Sequence, residues 1–249
     1  MMPATLLHRG GRRRTAQSGI SLIELLVSML ILSVITTMLI MSWISLQNAF
    51  AFASADNKAR ATARDALTRV SSEIRAAQPP SALSITPFYL SGTAPYLCDG
   101  YDCTFYSAYN NPLAYSKSGD TVDAANANHA LLLTAIWLDT STSTTQKPQA
   151  TLYWQRDTNM NNSLDTGDRK IILATDVVNT PTSMTSNPIF TYNLYDATNG
   201  YTRTNALTSL NVASVVSVQV DIVVDANISH TPRYIELMTT VEPRNQGSN

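Results

Sequence analysis

The chain has 249 residues, 17 basic and 18 acidic, and only 14% of its residues are charged. Arg9, Arg12, Arg13 and Arg14 all precede Gly19 with no acid among them; without them the balance is 13 basic (17 − 4) against 18 acidic, or −5. An acidic remainder is a poor match for a phosphate backbone, so no direct nucleic-acid role is predicted. With a membrane segment and a helix set aside, roughly 170 residues are left, enough for one domain with its own core.

The first element follows the arginines. Ile20 to Ile44 is an unbroken apolar run with one exception, Glu24, the only charge between Arg14 and Asp56. The run is long enough to cross a bilayer as a helix. It exceeds the apolar core of an ordinary secretory signal, and no Ala-x-Ala cleavage site follows it. The arginine placement keeps the N-terminus cytoplasmic and sends the remainder across. A carboxylate within such a helix is costly, which makes Glu24 a functional candidate.

The residues around Glu24, "SGISLIELLVSMLILSVI", resemble the class III signal of type IV prepilins and type II secretion pseudopilins. Matched onto that pattern, Gly19 ends the leader, Ile20 is the first mature residue and Glu24 the fifth. The resemblance implies that a membrane-embedded prepilin peptidase cuts between Gly19 and Ile20 and N-methylates Ile20. It also implies that Glu24 pairs with the N-terminal amine of a neighbouring subunit during assembly. Ile20 stands where Phe is commonest in the family, and no Gly or Pro interrupts the segment from Ile20 to Gln78.

From Ala55 the pattern turns amphipathic. Ala59, Ala63, Leu67, Val70, Ile74 and Ala77 recur at helical spacing, so one apolar stripe is expected, with the charged residues from Lys58 to Arg75 mostly on other faces. Asp65, Arg69 and Glu73 stand four apart and can support the helix. Pro79 and Pro80 end it. The predicted divisions are a leader at 1–19, an apolar helix at 20–54, its amphipathic continuation at 55–80 and a head at 81–249.

Beyond Pro80, six segments read as strands: "HALLLTAIWL", "ATLYWQR", "RKIILAT", "PIFTYNLYD", "ASVVSVQVDIVVD" and "PRYIELMTTVEPRN". They are rich in β-branched and aromatic residues and are bounded by turn formers. The fold class is therefore α+β, a long N-terminal helix packed on an antiparallel head sheet. Ser81 to Asn128 is expected to be an irregular, exposed loop. The order resembles PilW-like minor pilins and GspJ-type pseudopilins. Thr151–Arg156 with Arg169–Thr175, Phe190–Tyr192 and Val241–Asn245 carry that resemblance.

Cys98 and Cys103 lie in "LCDGYDC". A disulfide across so short a loop contributes about 2 kcal/mol in the loop-entropy model; two free thiols or half a metal site are the alternatives. In "RDTNMNNSLDTGDRK", Asp157, Asn159, Asn161, Ser163, Asp165 and Asp168 fall at positions 1, 3, 5, 7, 9 and 12 of a calcium loop. Asn162 replaces the turn Gly and Asp168 the bidentate Glu, so a polar loop of Asx turns competes with structural calcium. His129 and His230 sit in no catalytic motif, and no nucleophile elbow, zinc helix or phosphate loop occurs. An enzyme is not expected, and no cofactor is required.

The resemblance implies a minor pilin, held in the inner membrane and then built near a pilus tip, with other pilins and an inner-membrane assembly platform as partners. A type II secretion pseudopilin is the nearest alternative. A membrane-anchored periplasmic binding protein that never polymerises is another.

Overall fold

The computed structural model describes residues 21–79, 86–90, 98–109, 131–141, 149–158, 163–179, 187–226 and 233–243. One helix, α1 (Leu22–Arg75), precedes eight strands: β1 (Cys103–Ser107), β2 (Leu132–Asp139), β3 (Ala150–Arg156), β4 (Arg169–Val177), β5 (Phe190–Asp196), β6 (Gly200–Thr204), β7 (Val215–Asp225) and β8 (Tyr234–Val241). The chain divides into two compact units, one ending at Ala51 and the other starting at Phe52. Within the second unit, the later turns of α1 pack against one antiparallel sheet. This is the expected α+β, pilin-like architecture.

The sheet runs β1-β2-β3-β4-β7-β5-β6, with β8 also paired to β7. Strand β7 is the hub. Its first half pairs with β5, Val218 to Asp225 pair with β8, and Val224 pairs with Val177 of β4. That arrangement follows from "VVSVQVDIVVD": Val218, Val220, Ile222 and Val224 all face one side and are all buried. Across the registers they meet Tyr192 and Phe190 of β5 and Val241 and Ile235 of β8. Strands β1 to β3 continue this inner face with Phe105, Ile136, Leu152 and Trp154.

The α1 stripe that closes this core comprises Ala59, Ala63, Ala66, Val70 and Ile74, with Leu67 at its margin, and Ala77 continues it just past the helix end. One residue departs from expectation. Glu73, placed by sequence among the polar faces, is fully buried, because Arg156 and Ser107 on the sheet supply it with partners.

The helix ends earlier than Gln78. Ala76 O accepts from Ala108 N at 3.2 Å, and Gln78 N donates to Tyr106 O at 3.0 Å. The backbone of 76–78 thus serves as a short partner for β1. That strand corrects the reading of 81–128 as irregular throughout. "CTFYS" is short, but Phe105 and Cys103 are buried on the inner face, and its ladder with β2 runs from Cys103↔Ile136 to Ser107↔Leu132. Strand β6 was also unforeseen. "GYTRT" is polar and mostly exposed, and it is held as an edge strand by the turn before it. There Asp196 Oδ1 accepts from Thr198 N and Asn199 N, and Gly200 takes φ +71°, a conformation that favours glycine.

Candidate functional site

The apolar first part of α1 is the candidate assembly element. Four of its hydroxyls are turned inward onto its own carbonyls. Ser28 Oγ donates to Glu24 O at 2.7 Å, Ser33 Oγ to Leu30 O at 2.8 Å, Thr36 Oγ1 to Leu32 O at 2.7 Å and Thr37 Oγ1 to Ser33 O at 2.8 Å. A helix whose polar side chains satisfy themselves tolerates an apolar surround. Glu24 does not share this property. It sits in the first turn, exposed, and among the described residues nothing pairs with its carboxylate.

Around Glu24 the surface is uniformly greasy. Leu22, Ile23, Leu25, Leu26 and Val27 are exposed, and large apolar side chains continue on all sides to Phe52. An apolar surface this extensive marks a membrane or protein contact. The helix is long and apolar enough to cross a membrane. Gly19 and Ile20 lie outside the described residues.

In the second unit, Asp56 accepts from Arg60 at 3.0 Å and sits 3.5 Å from Arg233, whose guanidinium also lies over the Phe52 ring. In the last turns of the helix is a buried charge cluster. Glu73 Oε2 meets Arg156 Nη2 at 2.5 Å and accepts from Ser107 Oγ at 2.9 Å, while Oε1 lies 3.0 Å from Arg69. Burial pushes the Glu73 carboxyl above its ordinary range, and the two arginines pull against that shift. The Arg69–Glu73 spacing was visible in the sequence. Arg156 was not, because nothing in "ATLYWQR" distinguishes an inward arginine at a strand end.

Cys98 and Cys103 are buried and unbridged, and they face each other across an antiparallel bridge. The loop between them is an Asx turn: Asp99 Oδ1 accepts from Tyr101 N at 2.7 Å and Asp102 N at 2.8 Å. Asp102 is pushed up to about 6 by burial and by the nearby Asp99 charge.

The candidate calcium loop is organised around Asp168. Its Oδ1 accepts from Thr158 N at 2.9 Å and Thr158 Oγ1 at 3.3 Å, and its Oδ2 accepts from Asp165 N at 2.8 Å. Asp165 Oδ1 accepts from Gly167 N at 2.8 Å, and Asp157 is buried beside β2. Both Asp168 oxygens are therefore used by the turn itself. Among the described residues, no three acidic, histidine or cysteine side chains gather as a metal site. Ser163 is described, whereas Asn159 and Asn161 lie outside the described residues.

One shallow groove of about 790 Å³ crosses the outer face of β5, β6, β7 and β8, lined by Asn193, Tyr201, Arg203, Ser217, Thr240 and Glu242. It has no pairing of nucleophile and base.

Comparison with known proteins adds one match. Residues 14–40 fit the family model described as the prokaryotic N-terminal methylation motif. No curated protein matches the chain. The motif implies processing by prepilin peptidase and assembly with other pilins in a membrane, and it points to a structural role. The matched motif and the long apolar helix that carries Glu24 fit a type IV pilin-like protein.

Proposed function

We propose that this protein is a minor pilin, cut after Gly19, N-methylated on Ile20 and incorporated near the tip of a type IV pilus as part of a priming complex. The observation that carries this reading is Glu24, a carboxylate with no partner among the described residues, on an apolar helix where four nearby hydroxyls bond the helix's own carbonyls. A charge in an apolar surround is stabilised by a partner of opposite sign. The amine freed at Ile20 supplies such a partner on a neighbouring copy, so cleavage and assembly become linked. A broad head on a single helix suits a filament end, where it does not have to fit between neighbours.

The test is the mass of the N-terminal peptide from the protein's own cells, together with Glu24→Ala. The reading predicts a chain beginning at N-methyl Ile20 and a variant that is processed but absent from sheared filaments. A chain that keeps residues 1–19 in cells with an active peptidase overturns it. Deleting the gene then distinguishes filament systems: loss of pili supports this reading, and loss of exoprotein secretion with intact pili points to a pseudopilin.

A further inference from the structure

The hairpin around Cys98 and Cys103 occupies an unusual place. Strands β1 and β6 stand at opposite ends of the sheet path, yet this hairpin touches both ends. Gly100 O accepts from Phe190 N at 3.0 Å at the start of β5, and Cys98 O accepts from Leu207 N at 2.7 Å just past β6. Tyr192 donates from its hydroxyl toward Asp99 O and Asp102 O at 3.4 and 3.5 Å. Asp102 Oδ1 accepts from Leu138 N of β2 at 3.3 Å. The hairpin is a strap that joins the two ends of a curled sheet.

We propose that Cys98 and Cys103 are a disulfide-forming pair that closes this strap when the head enters an oxidising compartment. Three observations carry the assignment. The residues are direct cross-strand partners, so their side chains leave the same face of the hairpin. The Cys98 thiol already lies over the strand that carries Cys103, donating to Thr104 O at 3.2 Å. The turn between them is already fixed by Asp99, including Asp99 N donating to Asp102 O at 2.9 Å, so little movement separates thiols from bond.

The chemistry is thiol–disulfide exchange with a protein disulfide donor. One thiolate attacks the donor disulfide, forming a mixed disulfide and releasing a donor thiol. The second thiolate then attacks the mixed bond, and the donor leaves as a dithiol. Two thiol protons are lost, and both electrons go to the donor. Cys103 is wholly buried and Cys98 nearly so, and burial pushes the Cys103 thiol well above its ordinary value. Neither sulfur is within reach of a donor disulfide once the sheet has closed. The bond therefore forms before the head finishes folding.

The full chain in detergent tests this independently of the filament reading. Reduced, unfolded chain is refolded in a glutathione redox buffer, quenched with an alkylating reagent under denaturing conditions and digested for mass analysis. The peptide spanning 98–103 is expected to be unalkylated and lighter by two hydrogens. Chain refolded while reduced and only then given oxidised glutathione is expected to form the bond at least roughly tenfold more slowly. Two alkylated cysteines after oxidative refolding overturn the proposal, as does equally fast oxidation of the folded, reduced chain with no internal bond formed. The same peptide from native membranes is expected to be bridged; a reduced peptide there, on a head that external protease reaches in spheroplasts, also overturns it.

Discussion

Glu73 of α1 and Arg156 of β3 meet at 2.5 Å inside the head, with side-chain exposures of 0% and 7%. The arginine is fully engaged. Its Nε donates to Thr134 Oγ1 at 3.2 Å and its Nη1 to Tyr109 O at 2.6 Å. The Trp154 ring lies beneath both Arg156 and Arg69, with centroid distances of 5.0 and 4.8 Å. One helix carboxylate is thereby connected to β1, β3 and Tyr109, which fixes the rotation of the helix against the sheet.

Removing one member of this pair leaves the other buried without a counter-charge. Glu73→Ala is expected to cost about 3–5 kcal/mol, and Arg156→Met a similar amount. The double variant Glu73→Met, Arg156→Met replaces both charges with apolar side chains and is expected to be more stable than either single variant. Denaturant midpoints of the detergent-solubilised chain provide the check. Additive single effects would mean that the two residues stabilise the head independently.

Gly100 gives a steric test of the strap. A Cβ built there meets Pro188 Cβ at 2.8 Å, closer than carbon atoms approach in a packed structure. Gly100→Ala must displace either the hairpin or the start of β5, and with it the Gly100 O to Phe190 N bond. A loss of about 1–3 kcal/mol is expected from such overpacking. Hydrogen exchange at Phe190 N reports it locally. Unchanged protection there would show that the strap moves without releasing β5.

The sequence made the helix and six strands legible because their patterns are long and their inner faces are apolar. "SVVSVQVDIVV" is an example, since alternation alone identifies the residues that later appear in the core. It was silent where partners create the environment. Glu73 reads as a surface acid until Arg156 and Ser107 are placed beside it. Strand β1 is five residues long and draws its identity from β2 and the helix end. Strand β6 exposes most of its side chains and has no apolar face to reveal it. The placement of Glu24 in the first turn of an apolar helix was legible, because a lone acid in a greasy run is a local signal that needs no tertiary context.

Asp168 discriminates a self-supporting turn from an ion site. Its carboxylate accepts from Thr158 N, Thr158 Oγ1 and Asp165 N. Asp168→Ala leaves those donors unmatched and is expected to cost about 1–3 kcal/mol. Since the turn already uses both oxygens, a calcium chelator is expected to leave the thermal midpoint of the unsubstituted chain where it is. A midpoint that rises with added calcium, and does not rise in Asp168→Ala, would show that these carboxylates reorient around an ion.

Asp221 makes stability depend on pH in a direction that can be assigned. It sits on the outer face of β7, diagonally from Glu236 on β8, since Asp221 registers with Met238 and Glu236 with Val223. The residue is 8% exposed, and its Oδ1 has no hydrogen-bond partner among the described residues. Burial, and then the Glu236 charge and hydrogen bond, raise its carboxyl from 3.8 to about 6. The folded state therefore holds this proton more tightly than the unfolded chain. The stabilisation it contributes is complete below about 4 and is lost as pH rises through about 6. Asp102, also raised to about 6, acts in the same direction. Asp221→Asn imitates the protonated form at every pH. It is expected to match the unsubstituted chain near pH 4 and to exceed it by about 1 kcal/mol at pH 7, flattening part of the decline between them. Asp221 and Glu236 lie on adjacent strands, so the added stability should appear as slower hydrogen exchange along the β7–β8 ladder. A variant with the original slope from pH 4 to pH 7 would assign that slope to Asp102 and leave Asp221 without a proton to lose.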